Sequence, residues 1–171
     1  FEIDLSDNDR QVYEQIKLTV ALHPSETDEY MLTRLLAYCL EYREGITFTK
    51  GLADPIEPAI WARALDGQLT LWVEIGLPGA EKVHKASKTG ARVALYTHRD
   101  PKILLEHLSG QKIYRSEDIP LYHFSGRLLD DLKRVLERRM KISVSVSERE
   151  LYIEAGGQSF SATIEQHAIQ P

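Results

Sequence analysis

The sequence predicts an α/β protein built on a mixed sheet, and three observations predict it. Met31, Leu32, Leu35, Leu36, Cys39 and Leu40 form one apolar stripe at helical spacing. Asp66-Gly67, the preferred dipeptide of a two-residue hairpin loop, joins alternating segments at 60–65 and 68–76. A helical segment at 79–88 then leads to a further strand at 92–96, the order of a crossover between parallel strands. An antiparallel hairpin followed by a helical crossover implies a mixed sheet flanked by helices.

The elements follow in order. Residues 1–5 alternate apolar and polar as a half-buried strand does, Ser6-Asp7-Asn8-Asp9 is a turn cluster, and 12–22 is the partner strand, ended by His23-Pro24. Ser25 is the expected N-cap of the main helix, with Asp28 three residues on as a capping-box variant and Gly45 as the stop. Residues 45–50 form a short strand. The two-residue loop sets residue 65 opposite 68, 61 opposite 72 and 59 opposite 74. Ile60, Ala62, Ala64, Leu69, Leu71, Val73 and Ile75 then share a core face, whereas Trp61, Arg63, Thr70, Trp72 and Glu74 share the other. Glu57 is diagonal to Glu74 if the strand extends that far. After the helix at 79–88 and the strand at 92–96 come a helix at 101–108, strands at 112–114 and 121–124, and a helix at 126–139. A C-terminal meander follows at 141–147, 151–154 and 159–165, with its last turn at Gly156-Gly157.

The 171 residues suit one domain, 1–171, and 43% apolar with 27% charged residues is ordinary globular usage, which excludes disorder. With 21 Lys+Arg against 26 Asp+Glu the net charge is −5, so any nucleic-acid role needs a local basic groove on an acidic body. The lone Cys39 cannot form an internal disulfide and suits a reducing cytoplasm. No apolar run approaches the roughly 18 residues of a membrane span, and no signal-peptide pattern opens the chain. Because Phe1 already stands inside an alternating stretch, a few residues are expected upstream.

There is no phosphate-binding Gly-rich loop, dinucleotide fingerprint, nucleophile elbow or Cys/His metal spacing. The six histidines (23, 84, 98, 107, 123, 167) are scattered and read as surface or packing residues, and Cys39 on the apolar stripe as an inert small hydrophobe. Glu74 is different: it lies near the end of a strand whose alternate residues are core, beside Trp72 and before a chain-turning Gly. Two carboxylates at a strand end suit Mg²⁺, which takes only one or two from protein and keeps water and substrate phosphate as its other ligands. By the hairpin register Glu57 is the second. The plain alternative for each is an exposed surface acid. Glu29, one turn into the helix at the edge of its stripe, is either a further site acid or a helix-dipole residue. Lys85 falls opposite Val83 and Ala86 on the wheel, where it lines a cleft or faces water, and turn chemistry accounts for Asp66.

Several stretches together resemble the YaeQ family of small bacterial proteins. They are His23-Pro24-Ser25-Glu26-Thr27-x-Glu29-x-Met31-x-x-Arg34-Leu35-Leu36-Ala37, Phe48-Thr49-Lys50-Gly51-Leu52, Glu57-Pro58-x-x-Trp61, Leu71-Trp72-Val73-Glu74-Ile75-Gly76-Leu77-Pro78 and Lys85-Ala86. The resemblance covers nearly the whole chain. It implies a restriction-endonuclease-like αβββαβ core, similar to the PD-(D/E)XK nucleases, with an N-terminal strand pair and the C-terminal meander added. In that superfamily Pro-Asp on one strand is followed by Asp/Glu-x-Lys on the next. Here Ala59 follows Pro58, and Ile75-Gly76 follows Glu74, so the pattern is met only with Glu57 in the Asp role and Lys85 as a migrated lysine. The implied activity is Mg²⁺-dependent phosphodiester hydrolysis of nucleic acid: Glu57 and Glu74 on the metal, Lys85 on the attacking water or the phosphorane charge, Glu29 as a further ligand or orienting group. The alternatives are a non-catalytic protein of the same fold that binds nucleic acid or a protein partner, and a scaffold without a ligand.

Overall fold

The structure, a computed structural model, describes residues 1–50 and 56–171. Gly51 and Leu52 of the family-like motif lie outside the described residues. The elements are β1 (Glu2–Asp7), β2 (Val12–Lys17), α1 (Asp28–Leu40), β3 (Ile46–Phe48), β4 (Ile60–Arg63), β5 (Leu69–Ile75), α2 (Ala80–Ser87), β6 (Arg92–Thr97), α3 (Pro101–Leu108), β7 (Pro120–His123), α4 (Gly126–Val135), β8 (Lys141–Ser147), β9 (Glu150–Ala155), β10 (Gln158–Thr163) and β11 (Glu165–Ala168). The fold is mixed α+β, with four helices and two sheets among the described residues rather than the single sheet expected.

The first sheet has the order β10-β9-β8-β1-β2, and the second β11-β7-β6-β5-β4-β3. Both are mixed: β1 runs parallel to β8, β5 to β6 and β6 to β7, and the remaining pairs are antiparallel. The expected strand at 112–114 is absent; a single 3-10 turn, Ser116–Asp118, follows there instead. The last expected strand divides at Ile164, which is buried, so that β10 ends one sheet and β11 pairs with β7 in the other.

Every residue of α1 from Met31 to Leu40 is buried, not only the predicted stripe. The cause is position: α1 and α4 pack into one apolar cluster with Ile3, Leu5, Ile142 and Val144 of the first sheet and Ile60, Leu71, Val73 and Tyr96 of the second. A helix enclosed between layers is buried all round. Its cap is Thr27, whose hydroxyl accepts from the Tyr30 N–H at 3.1 Å, while the hydroxyl of Ser25 meets His23 Nδ1 at 2.7 Å. A second cluster, formed by Val83, Ala86, Leu104, Leu108, Val93, Leu95 and Leu121, holds α2 and α3 against the opposite face of the second sheet. Helix α1 ends at Leu40 with Glu41 as C-cap rather than at Gly45. Gly45, at φ +81°, instead lets β4 approach, since a Cβ there would stand 2.1 Å from the Arg63 oxygen.

Cys39 is wholly enclosed, and burial pushes its thiol up to about 12. The folded protein is therefore expected to take up no thiol reagent in mildly alkaline buffer, and the denatured chain one equivalent. Stoichiometric labelling without denaturant would contradict the packing of α1.

Candidate functional site

The hairpin that carries the candidate residues closes differently from the expectation. Ala64 pairs with Gln68 (N–H to carbonyl, 2.8 Å) across a three-residue loop, with Gly67 at φ +87° and Asp66 Oδ1 accepting from the Gln68 N–H. This shifts the register by one at Arg63↔Leu69, and a bulge beside Ala62 restores it. Trp61 thus faces Trp72 as expected, and beyond Ile60↔Val73 the Ala59 N–H donates to the Val73 carbonyl. Ile60, Ala62, Leu71, Val73 and Ile75 are the buried face; Ala64 lies outside it, exposed.

Glu74 stands at the carboxyl end of β5, in register with Leu95 of the parallel β6. Ligands of open α/β sheets gather at such strand ends. Only 5% of Glu74 is exposed. Its Oε1 accepts two bonds, from the Trp72 indole N–H at 2.9 Å and from the Lys82 ammonium at 3.2 Å. Among the described residues nothing donates to Oε2. Burial pushes the carboxyl above its usual range, and Lys82 and the indole only partly offset this. Gly76, at φ +88°, turns the chain past the side chain of Tyr30, whose phenol is pushed up to about 12, mostly by burial and in small part by Glu26 and Glu74.

The structure places the other expected site residues as follows. Lys85 is exposed and pairs with Glu81 at 3.3 Å, one turn back on the outer side of α2. The lysine that reaches Glu74 is Lys82, which neighbours buried Val83 and stands four residues before buried Ala86. That border position on the wheel is the signal that distinguishes it from Lys85. Glu29 is half-buried and its carboxylate accepts from Lys133 of α4 at 2.9 Å, which lowers its pKa. Glu57 is half-buried just before Pro58 and Ala59. Glu29, Glu57 and Glu74 do not gather into a three-ligand cluster: among the described residues no three His, Cys, Asp or Glu side chains are placed to hold one metal ion. The histidines follow suit: His123 and His167 both pair with Glu165 of β11, and this trio is not placed to hold a metal ion either.

These features define a class: a mixed α+β protein with a buried, cation-paired carboxylate at the carboxyl end of a central strand. The family model described as "YaeQ protein" matches residues 1–164, so the chain belongs to the YaeQ family. It is 29% identical to the YaeQ protein of Escherichia coli (strain K12) over 152 residues, 88% of this chain and 84% of that one, and equally so to that of Salmonella typhi over 154 residues. The crystal structure of YaeQ protein from Pseudomonas syringae superimposes with a TM-score of 0.85 at 29% identity, covering 99% of this chain and 93% of that one. The structure of the YaeQ protein from Xanthomonas axonopodis pv. citri gives 0.80 at 25% identity, covering 99% and 95%. No helix among the described residues is long and apolar enough to cross a membrane.

Proposed function

We propose that this YaeQ-family chain is a variant PD-(D/E)XK phosphodiesterase that hydrolyses nucleic acid in the cytoplasm. The observation that carries the reading is Glu74: a carboxylate kept buried at a strand end, with one oxygen engaged by Lys82 and Trp72 and the other left for a ligand. The order α1, β3, β4, β5, α2, β6 agrees with the helix, three strands, helix and strand of that superfamily's core. Two carboxylate donors, Glu74 with Glu57 as the second one expected from the sequence, fit Mg²⁺, which binds through few carboxylates, better than zinc. When bound there it would supply a Lewis acid and a water of lowered pKa. Lys82 then has the part expected of Lys85. Its ammonium stabilises the charge that develops on the phosphoryl oxygens as water attacks phosphorus and the ester P–O bond breaks.

Turnover of nucleic acid by the purified protein with Mg²⁺ or Mn²⁺ is the test, and Glu74→Ala is expected to abolish it. Lys82→Met is expected to slow it by about 100-fold or more, with Lys85→Met close to the parent. Equal losses for the two lysine variants, or activity surviving in Glu74→Ala, would refute the assignment. Two observations favour a second reading, a non-catalytic binding protein: Lys82 already pairs with Glu74, and Ala59 puts a methyl where the superfamily's acid stands. That reading predicts binding of nucleic acid without cleavage under any divalent metal.

A further inference from the structure

Tryptophan carries enough apolar surface that a folded chain normally commits it to a core. Trp72 obeys this, packing against the cluster under α2. Trp61, directly opposite it on β4, is half-buried and belongs to neither apolar cluster. Its cross-strand neighbour on the other side is Thr47 of β3, which is exposed. The Arg63 guanidinium lies 4.7 Å over the Trp61 ring, steadied by a 3.0 Å bond to the Gly67 carbonyl, and among the described residues it has no carboxylate partner. The guanidinium covers that face of the ring, and because Arg63 is itself exposed, its outer plane is the surface on which a further planar group can stack. Trp61 and Trp72 share one side of the sheet with Glu74, which is about 7 Å further along β5 from Trp72.

We propose that Trp61 and Arg63 form a stacking platform for an unpaired base, so that the ligand of this face is single-stranded nucleic acid whose backbone passes Glu74 and Lys82. Every base has a π-face, and an aromatic ring beside a cation binds strands by stacking whatever their sequence. In a duplex those faces are already covered by neighbouring bases, so the platform selects unpaired strands. Stacking also releases no counterions, which suits a chain of net charge −5 that is poorly equipped for binding by charge alone.

The proposal places its strand by the phosphodiesterase reading but does not require cleavage, and the two are separable. A fluorescently labelled oligothymidylate is titrated into the full chain in EDTA, beside a duplex of the same length. The parent is expected to bind the single strand more tightly and to show quenched tryptophan emission. Trp61→Ala is expected to weaken binding about 5- to 150-fold, the range of stacking losses per base, and Trp61→Phe to retain most of it. Unfolding curves show whether either variant has lost its fold, and the comparison with Trp61→Phe stands if the alanine variant has. Failure of the parent to bind the single strand, or equal affinity in parent and Trp61→Ala, overturns the platform even if Glu74-dependent cleavage is found. Trp61-dependent binding with no cleavage under any metal upholds the platform and overturns the phosphodiesterase.

Discussion

Glu41→Ala is expected to destabilise the protein by about 3–5 kcal/mol, the cost of removing one partner of a buried ionic network, or about 6–20 °C in Tm for a chain of this size. Glu41 ends α1 as its C-cap, and its carboxylate is 4% exposed. It accepts from Arg92 through Nε at 2.8 Å and Nη2 at 3.2 Å, from Arg43 at 3.3 Å and from the Tyr96 hydroxyl at 2.8 Å. Two guanidiniums at a helix C-terminus also complement its dipole. Without the carboxylate, the wholly buried Tyr96 hydroxyl and two partly enclosed cations lose their common acceptor. Arg92→Ala is expected to cost less, because that side chain is 39% exposed and water replaces part of the pair. Thermal unfolding of both variants gives the order; equal small losses would show that the network is dispensable.

Glu74→Gln is expected to have the opposite pattern, with phosphodiester cleavage reduced about 100-fold or more and stability unchanged or higher. The sign follows from the raised carboxyl. A group whose folded pKa lies above its unfolded value contributes stability below the unfolded pKa and loses it as pH rises through the folded one. The ionised Glu74 of neutral solution is thus held at a cost that the neutral amide avoids, whereas the amide oxygen can still accept from the indole. The stability gain of the variant is expected to grow from acid toward neutral pH. A variant that is both inactive and markedly less stable at neutral pH would mean that Glu74 serves the fold. A buried carboxylate that costs stability where it is ionised is the kind of residue kept for function rather than for the fold.

Local pattern made much of this legible. The hairpin carried its own arithmetic: alternation of apolar residues across 60–75 placed Trp61 opposite Trp72, and the bulge cancelled the extra loop residue. The bounds of α3 and β8 also agree with the expectation. What depended on distant packing was hidden. The burial of α1 on all sides needs a second sheet assembled from both ends of the chain, through β1 and β8. Glu41 and Arg92 are 51 residues apart in sequence, and no spacing rule links them. Lys82 against Lys85 was legible on the wheel, since Lys82 borders the face of Val83 and Ala86 and Lys85 lies further round toward Glu81, but that Lys82 meets Glu74 depends on how α2 packs on the sheet. Glu29 was legible as a helix-start acid but not as the partner of Lys133, 104 residues away.

The most direct measurement of the central claim, that Glu74 offers its second oxygen to a divalent cation, is calorimetric titration of Mn²⁺ into the parent and into Glu74→Gln. The account predicts a saturable heat in the parent that disappears in the variant, with both proteins folded. No heat in the parent, or the same heat in both, would contradict it.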